Sequence, residues 1–157
     1  MGDRSPLQCW VHQAEPADHP AILEILADHK LSTDAPAQAA GSLALGTRYM
    51  YLEALLGSSD ALAAELQRSA PSAVFELWQD PYPPTADGHY VGHVPGTGTH
   101  EGACNEAGEL LIPVREVREI LGAAPAGLTV EMWLATEGRK HLGTAVLARL
   151  AAFERRW

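Results

Sequence analysis

Ala73-Val74-Phe75-Glu76-Leu77-Trp78-Gln79 is the clearest strand signal in the chain, a run of β-formers bounded on both sides by breakers. Pro71 stops whatever precedes it. Asp80-Pro81-Tyr82-Pro83-Pro84 follows, and its prolines donate no ladder hydrogen bond, so the strand passes into an ordered loop. Upstream, Ser58 or Ser59 caps a helix over 60–69 with Leu62 and Leu66 inward. Before it, residues 47–56 read as a half-buried strand with Met50, Leu52, Ala54 and Leu56 on the inner face. Downstream, 88–94 and 99–105 are short strands around the turn Pro95-Gly96-Thr97-Gly98. Pro113 opens a helix whose Val114, Val117, Ile120 and Leu121 face inward and which Gly122 ends. Residues 128–134 read as a strand and 137–156 as a terminal helix.

From residue 47 the order is strand, helix, strand, strand, helix, strand. It matches the split β-α-β unit of ferredoxin-like folds, so the expected class is α+β: an antiparallel-rich sheet with helices mainly on one face, built on a ferredoxin-like unit over about 47–134. The terminal helix is an addition to that unit. So are a strand over 7–14 and a helix over 19–30, capped by Asp18, with Ile22, Ile25, Leu26 and His29 on its buried face. The Ala/Pro/Gly-rich stretch 34–42 is the best internal linker, dividing 1–33 from a main unit over 43–157 inside one expected domain, 1–157.

Composition narrows the function. The chain has 157 residues, 46% hydrophobic and 20% charged, which excludes collagen-like, disulfide-rich and strongly disordered classes. No apolar run approaches the roughly 20 residues a membrane span requires, and the N-terminus has no signal-peptide core. The net charge of −9, from 11 basic and 20 acidic residues, argues against phosphate-backbone binding and favours a cationic partner. Cys9 and Cys104 lie too far apart for a zinc signature. Cys9 sits in the alternation Leu7-Cys9-Val11, which marks a small core residue, and a reducing cytoplasm is the simplest setting.

Three places carry chemistry-bearing residues. The first is the hairpin. Pairing 88–94 with 99–105 across the turn sets His93 opposite His100 and His89 opposite Cys104, all on one face. His93, His100, Glu101 and Cys104 are then the candidate metal ligands, with Glu101 joining only if the strand is bulged. The second is the start of the terminal helix, where Gly138, Arg139, Lys140 and His141 gather positive charge beside exposed backbone N–H groups, a candidate anion site. Here Gly143-Thr144-Ala145-Val146-Leu147 resembles the end of the acyl-CoA-binding loop of GNAT acetyltransferases, and Glu15–Leu23 is similar to their opening helix. The likeness covers a small part of the chain. Gly138 and His141 stand where that family's phosphate loop needs Arg or Gln and its first Gly, so only the anion argument is kept. The third is the seam Leu142, Val146, Leu150, Phe153 and Trp157, flanked by Arg149, Arg155 and Arg156. It packs on the chain's own sheet or on a second chain, and the narrowness of the stripe points to a homodimer.

Trp78, Tyr82, Tyr90 and the proline loop also suggest a small pocket. Gly-x-Ser-x-Gly, P-loop, Rossmann and EF-hand patterns are absent, no carboxylate pair stands out, and no catalytic residue or cofactor is assigned. The expected function is a small acidic cytoplasmic interaction or regulatory module without catalysis, acting on another protein of basic character and not on nucleic acid or membrane. The alternative is a metal- or anion-dependent enzyme or ligand-binding domain using the hairpin or the Arg139–His141 turn.

Overall fold

The computed structural model describes residues 2–33, 42–84, 86–136 and 138–156. Its strands are β1 (Arg4–Gln13), β2 (Arg48–Leu55), β3 (Val74–Gln79), β4 (Gly88–Val94), β5 (Gly98–Cys104) and β6 (Leu110–Leu111). The helices are α1 (His19–Asp28), α2 (Ser58–Ser69), α3 (Val114–Gly122), α4 (Val130–Ala135), α5 (Gly138–His141) and α6 (Thr144–Leu150). The protein is α+β, with one antiparallel sheet in the order β2-β1-β3-β4-β5-β6. β1 runs antiparallel to both β2 and β3, so β2-α2-β3 is a split unit with β1 between its strands. The first strand, expected as an addition, therefore lies inside the sheet. The linker expected at 34–42 falls almost wholly outside the described residues. Among those described, no helix is long and apolar enough to cross a membrane.

Two irregularities set what β1 and β2 present. Between Ser5 and Leu7 the register with β2 slips by one residue. Pro6 sits at this slip, where its missing N–H interrupts no regular ladder. Because side chains alternate with period two, the extra residue in β2 resets its phase. Tyr49 and Ala54 are buried while Leu52 is 61% exposed, which corrects the Met50, Leu52, Ala54 and Leu56 face. The second slip lies between Val11 and Gln13 against β3, and His12 is the extra residue.

β3 is buried along its whole length because both faces of the sheet are covered. Phe75, Leu77, Leu7, Cys9, Val11 and Val91 meet α1 and α2 through Ile22, Ile25, Leu26, Leu62 and Leu66. The two helices do not use side-chain caps. Asp18 instead accepts hydrogen bonds from Ser72 N and Oγ, which hold its carboxyl below the usual carboxylate range. Ser58 Oγ donates to Leu55 O, and Gly57, in the left-handed region, enters α2. His29 ends α1 half-buried beside Glu65 at 3.2 Å and is not part of the apolar face.

The opposite face carries Trp10, Trp78, Tyr90 and Cys104, and beside them Val74 and Val94 under Val146 and Leu150 of α6. The expected terminal helix over 137–156 is broken. Gly143 adopts φ 60°, separating the one-turn α5 from α6, and a Cβ there would stand 2.1 Å from the His100 ring. Gly143→Ala is expected to lower stability by about 2–4 kcal/mol, combining left-handed strain with overpacking. Chemical denaturation measures it, and adding His100→Ala should recover the overpacking share alone.

The region after β6 departs most from expectation. Residues 128–134 form no strand. Thr129 Oγ1 accepts from Met132 N at 3.2 Å and caps α4, so local capping overrides β propensity where no sheet edge receives the segment. In α3 no residue is buried, and Val114 is 69% exposed, so Val114, Val117, Ile120 and Leu121 do not face the core.

Candidate functional site

A charge-paired cluster lies on the α6 side of the sheet, and the sequence places its members far apart. Glu76, in the centre of β3, is 3% exposed. A carboxylate cannot stay ionised there without partners, and it has four hydrogen bonds. His12 Nε2 donates to Oε1 at 2.8 Å and Tyr90 Oη donates to Oε2 at 3.0 Å. Arg155 binds both oxygens, Nε to Oε1 at 2.8 Å and Nη2 to Oε2 at 2.6 Å. Burial pushes the Glu76 carboxyl up, but the hydrogen bonds and charges of His12 and Arg155 outweigh it and bring the pKa down to about 2. Burial, together with the charge of Glu76, pushes the Tyr90 phenol above its ordinary range.

Aromatic rings frame the cluster. The Arg155 guanidinium carbon lies 4.9 Å from the Trp78 ring centroid, and Trp78 stacks on Trp10 at 4.5 Å. Phe153 stacks on His12 at 5.0 Å. Trp10 Nε1 donates to Arg156 O at 3.2 Å, and Arg156 N to Gly46 O at 2.9 Å, so the segment after α6 is tied down from both sides. Gly108, at φ 70°, lets backbone pass over the Trp78 ring, where a Cβ would stand 2.7 Å from it. His12 Nδ1 is buried and has no hydrogen-bond partner among the described residues.

A second feature is a cavity of about 150 Å³ between the start of α2 and the β3–β4 connection, lined by Ser59, Asp60, Asp80, Asp87 and His89 among others. Ser59 Oγ lies 3.0 Å and Asp60 Oδ1 3.1 Å from the same atom, His89 Nδ1. A nucleophile relay needs hydroxyl and carboxylate on opposite ring nitrogens, so this trio is not one.

The residues read from sequence are differently placed. The β4–β5 register pairs His93 with Thr99, Gly92 with His100, His89 with Ala103 and Gly88 with Cys104. The loop consumes three residues, with Thr97 N bonded to Val94 O, and Gly98 joins β5. This register differs by one residue from the expected pairing, and a one-residue slip moves every side chain of a strand to the other face. His93 and Glu101 thus lie on one face and His100 and Cys104 on the other, and the hairpin does not bring the four ligands together. His93 Nδ1 meets Thr99 Oγ1 at 2.8 Å, and its ring tilts against Phe75. Burial lowers the pKa of both His93 and His100. Cys104 packs with Trp10, Trp78 and Tyr90, and burial pushes its thiol up to about 12, followed by the charge of Asp80. Among the described residues no three His, Cys, Asp or Glu side chains converge as a metal set.

Gly138, Arg139, Lys140 and His141 form α5, a single turn, so the long helix dipole expected behind them is missing. Gly138 is buried against Trp133, and the other three are exposed. The seam divides as well. Val146 and Leu150 are 5% exposed in the chain's own core, Phe153 packs beside them and Leu142 is half-buried. Val146, Leu150 and Phe153 therefore contribute to the chain's own core. Trp157 lies outside the described residues. Trp78 and Tyr90 are buried under the C-terminal segment while Tyr82 is exposed, so these rings do not share the expected pocket.

Sequence reasoning passed over His12 and Glu76, placed Tyr90 in a loop pocket and read Arg155 only as a flank of the terminal seam. The available signal was Glu76 itself, a charge between Phe75 and Leu77 in a strand apolar on both faces, which demands a buried counter-charge.

Together, the covered antiparallel sheet and the paired cluster on its second face define an α+β protein whose buried polar groups are assembled from both ends of the chain. The chain belongs to the DUF3145 family, proteins of unknown function, whose family model matches residues 9–156. No curated protein and no solved structure matches it.

Proposed function

We propose that the protein is a non-catalytic interaction or regulatory module that binds a basic partner protein through the apolar side of α3 and α4. The observation that carries this reading is an amphipathic helix with no buried residue: Val114, Val117 and Leu121, at i, i+3 and i+7 on α3, are all exposed. Leu128, Val130 and Met132 at the start of α4 are exposed too. Exposed apolar residues in such density are characteristic of docking surfaces. Charge selects the partner. The chain carries a net −9, and along 105–136 Glu106, Glu109, Glu116, Glu119 and Glu131 outnumber Arg115 and Arg118, with Arg115 paired to Glu119 at 3.5 Å. A cytoplasmic setting belongs to this proposal, supported by two buried free cysteines.

The test compares the wild type with Val117→Glu/Leu121→Glu, using a short amphipathic Lys/Leu peptide as probe. Both positions are exposed, so unfolding free energy should change by no more than about 0.5 kcal/mol per site. The wild type should bind the peptide with an affinity that falls as salt rises, and the variant should bind at least tenfold more weakly. Equal binding to both, or none to the wild type, overturns the reading. Concentration-dependent dimerisation abolished in the variant also overturns it, because the occupant would then be a second copy.

A further inference from the structure

We infer that His12, Glu76, Trp78 and Tyr90 form a guanidinium-recognition site, filled here by the chain's own Arg155, so that the Arg155 side chain is a built-in competitor of an arginine-bearing ligand. Geometry separate from the α3–α4 surface carries this. Two guanidinium nitrogens, Nε and Nη2, meet the two oxygens of one carboxylate at 2.8 and 2.6 Å. This fork-to-fork match specifies a planar guanidinium, since an ammonium presents a single point charge. The same guanidinium lies 4.9 Å from the Trp78 ring centroid, and Trp78 is itself stacked on Trp10 at 4.5 Å. A cation over a tryptophan face beside a fixed carboxylate is a binding arrangement for arginine.

The site is held ready without its occupant. Tyr90 and His12 donate to Glu76 from β4 and β1, the strands on either side of β3. These two donors hold the carboxylate from within the sheet itself. His12 is itself buried, its side chain 1% exposed, and its Nδ1 is an unpartnered polar atom in the wall of the cluster. Arg155, in contrast, has a side chain 30% exposed and arrives on a stretch, 151–155, outside any helix or strand. The carboxylate belongs to the rigid centre of the sheet, whereas the cation comes from the solvent side. An arginine brought by another molecule competes with an intramolecular one whose effective concentration is on the order of millimolar. Wild-type protein therefore binds such a ligand weakly, and weakening the internal arginine opens the site.

The test uses the full chain with Arg155→Ala and, as a milder change, Arg155→Lys, whose ammonium keeps the charge but cannot span both oxygens. N-acetyl-arginine amide is titrated against N-acetyl-lysine amide, read by calorimetry and tryptophan emission. The arginine probe should bind both variants at least tenfold more tightly than the wild type and at least tenfold more tightly than the lysine probe does. Binding should be lost in Glu76→Gln/Arg155→Lys. Should Arg155→Ala fail to fold, Arg155→Lys carries the measurement. No binding to a folded variant, equal affinity for the two probes, or binding that survives Glu76→Gln overturns the assignment.

Discussion

Glu76→Ala is expected to cost about 3–5 kcal/mol of folding free energy, because it leaves a half-buried guanidinium without its counter-charge and two buried donors without their acceptor. Arg155 would lose both charge-assisted bonds, and His12 and Tyr90 would each lose an acceptor. The pH dependence is a sharper signature. The folded-state carboxyl lies at about 2, against an ordinary value of 4.5, so the unfolded chain takes up this proton first as pH falls. The contribution is fully present above pH 4.5 and disappears as the pH drops from there toward 2. It amounts to about 3 kcal/mol, from 1.36 kcal/mol per pKa unit. Urea titrations at pH 6, 4 and 3 should show the wild type losing stability more steeply than Glu76→Gln. Parallel losses in the two proteins would mean that Glu76 titrates normally and that the pair contributes little.

Leu150 gives the second large effect and decides the role of the C-terminal seam. It packs with Val74, Val94 and Val146 on the face opposite α1 and α2, and its Cδ1 closes over Gly92, where an added Cβ would stand 2.6 Å away. Leu150→Ala should cost about 2–5 kcal/mol from lost transfer energy and an unfilled cavity. Leu150→Asp should leave no folded protein at neutral pH, since an unpaired charge would be buried under α6. Circular dichroism and sedimentation of that variant separate the alternatives. A folded, monomeric Leu150→Asp derived from a dimeric parent is the result that would return the seam to an interface.

The elements with local signatures were legible in the residues. β3 announced itself by its run of β-formers between prolines, α2 by Leu62 and Leu66 ahead of Pro71, and the hairpin strands by the turn between them. The candidate ligands failed on one residue. Whether Gly98 belongs to the turn or the strand decides if His93 looks at Thr99 or His100, and that choice depends on the whole ladder, not on the turn alone. The inner face of β2 failed for the same reason, since the slip beside Pro6 is a property of two paired strands. For α3, apolar spacing correctly indicated a helix, but periodicity names a face without naming what covers it.

By itself the sequence determined the α+β class, the order of strands and helices through the hairpin, the core identity of Leu7, Cys9 and Val11, and the net charge of −9. These follow from period, propensity and composition, which act between neighbours along the chain or over all of it at once. Only the tertiary structure decided that Val130–Ala135 is helical, that Gly143 splits the last helix, and that Arg155 reaches Glu76 across 79 positions. The split at Gly143 and the Arg155–Glu76 pair rest on contacts between segments remote in sequence, whereas α4 follows from its local Thr129 cap where no strand pairs with the segment. The energy of a buried charge or a strained glycine comes from whatever packs against it, and that neighbour is set by the fold.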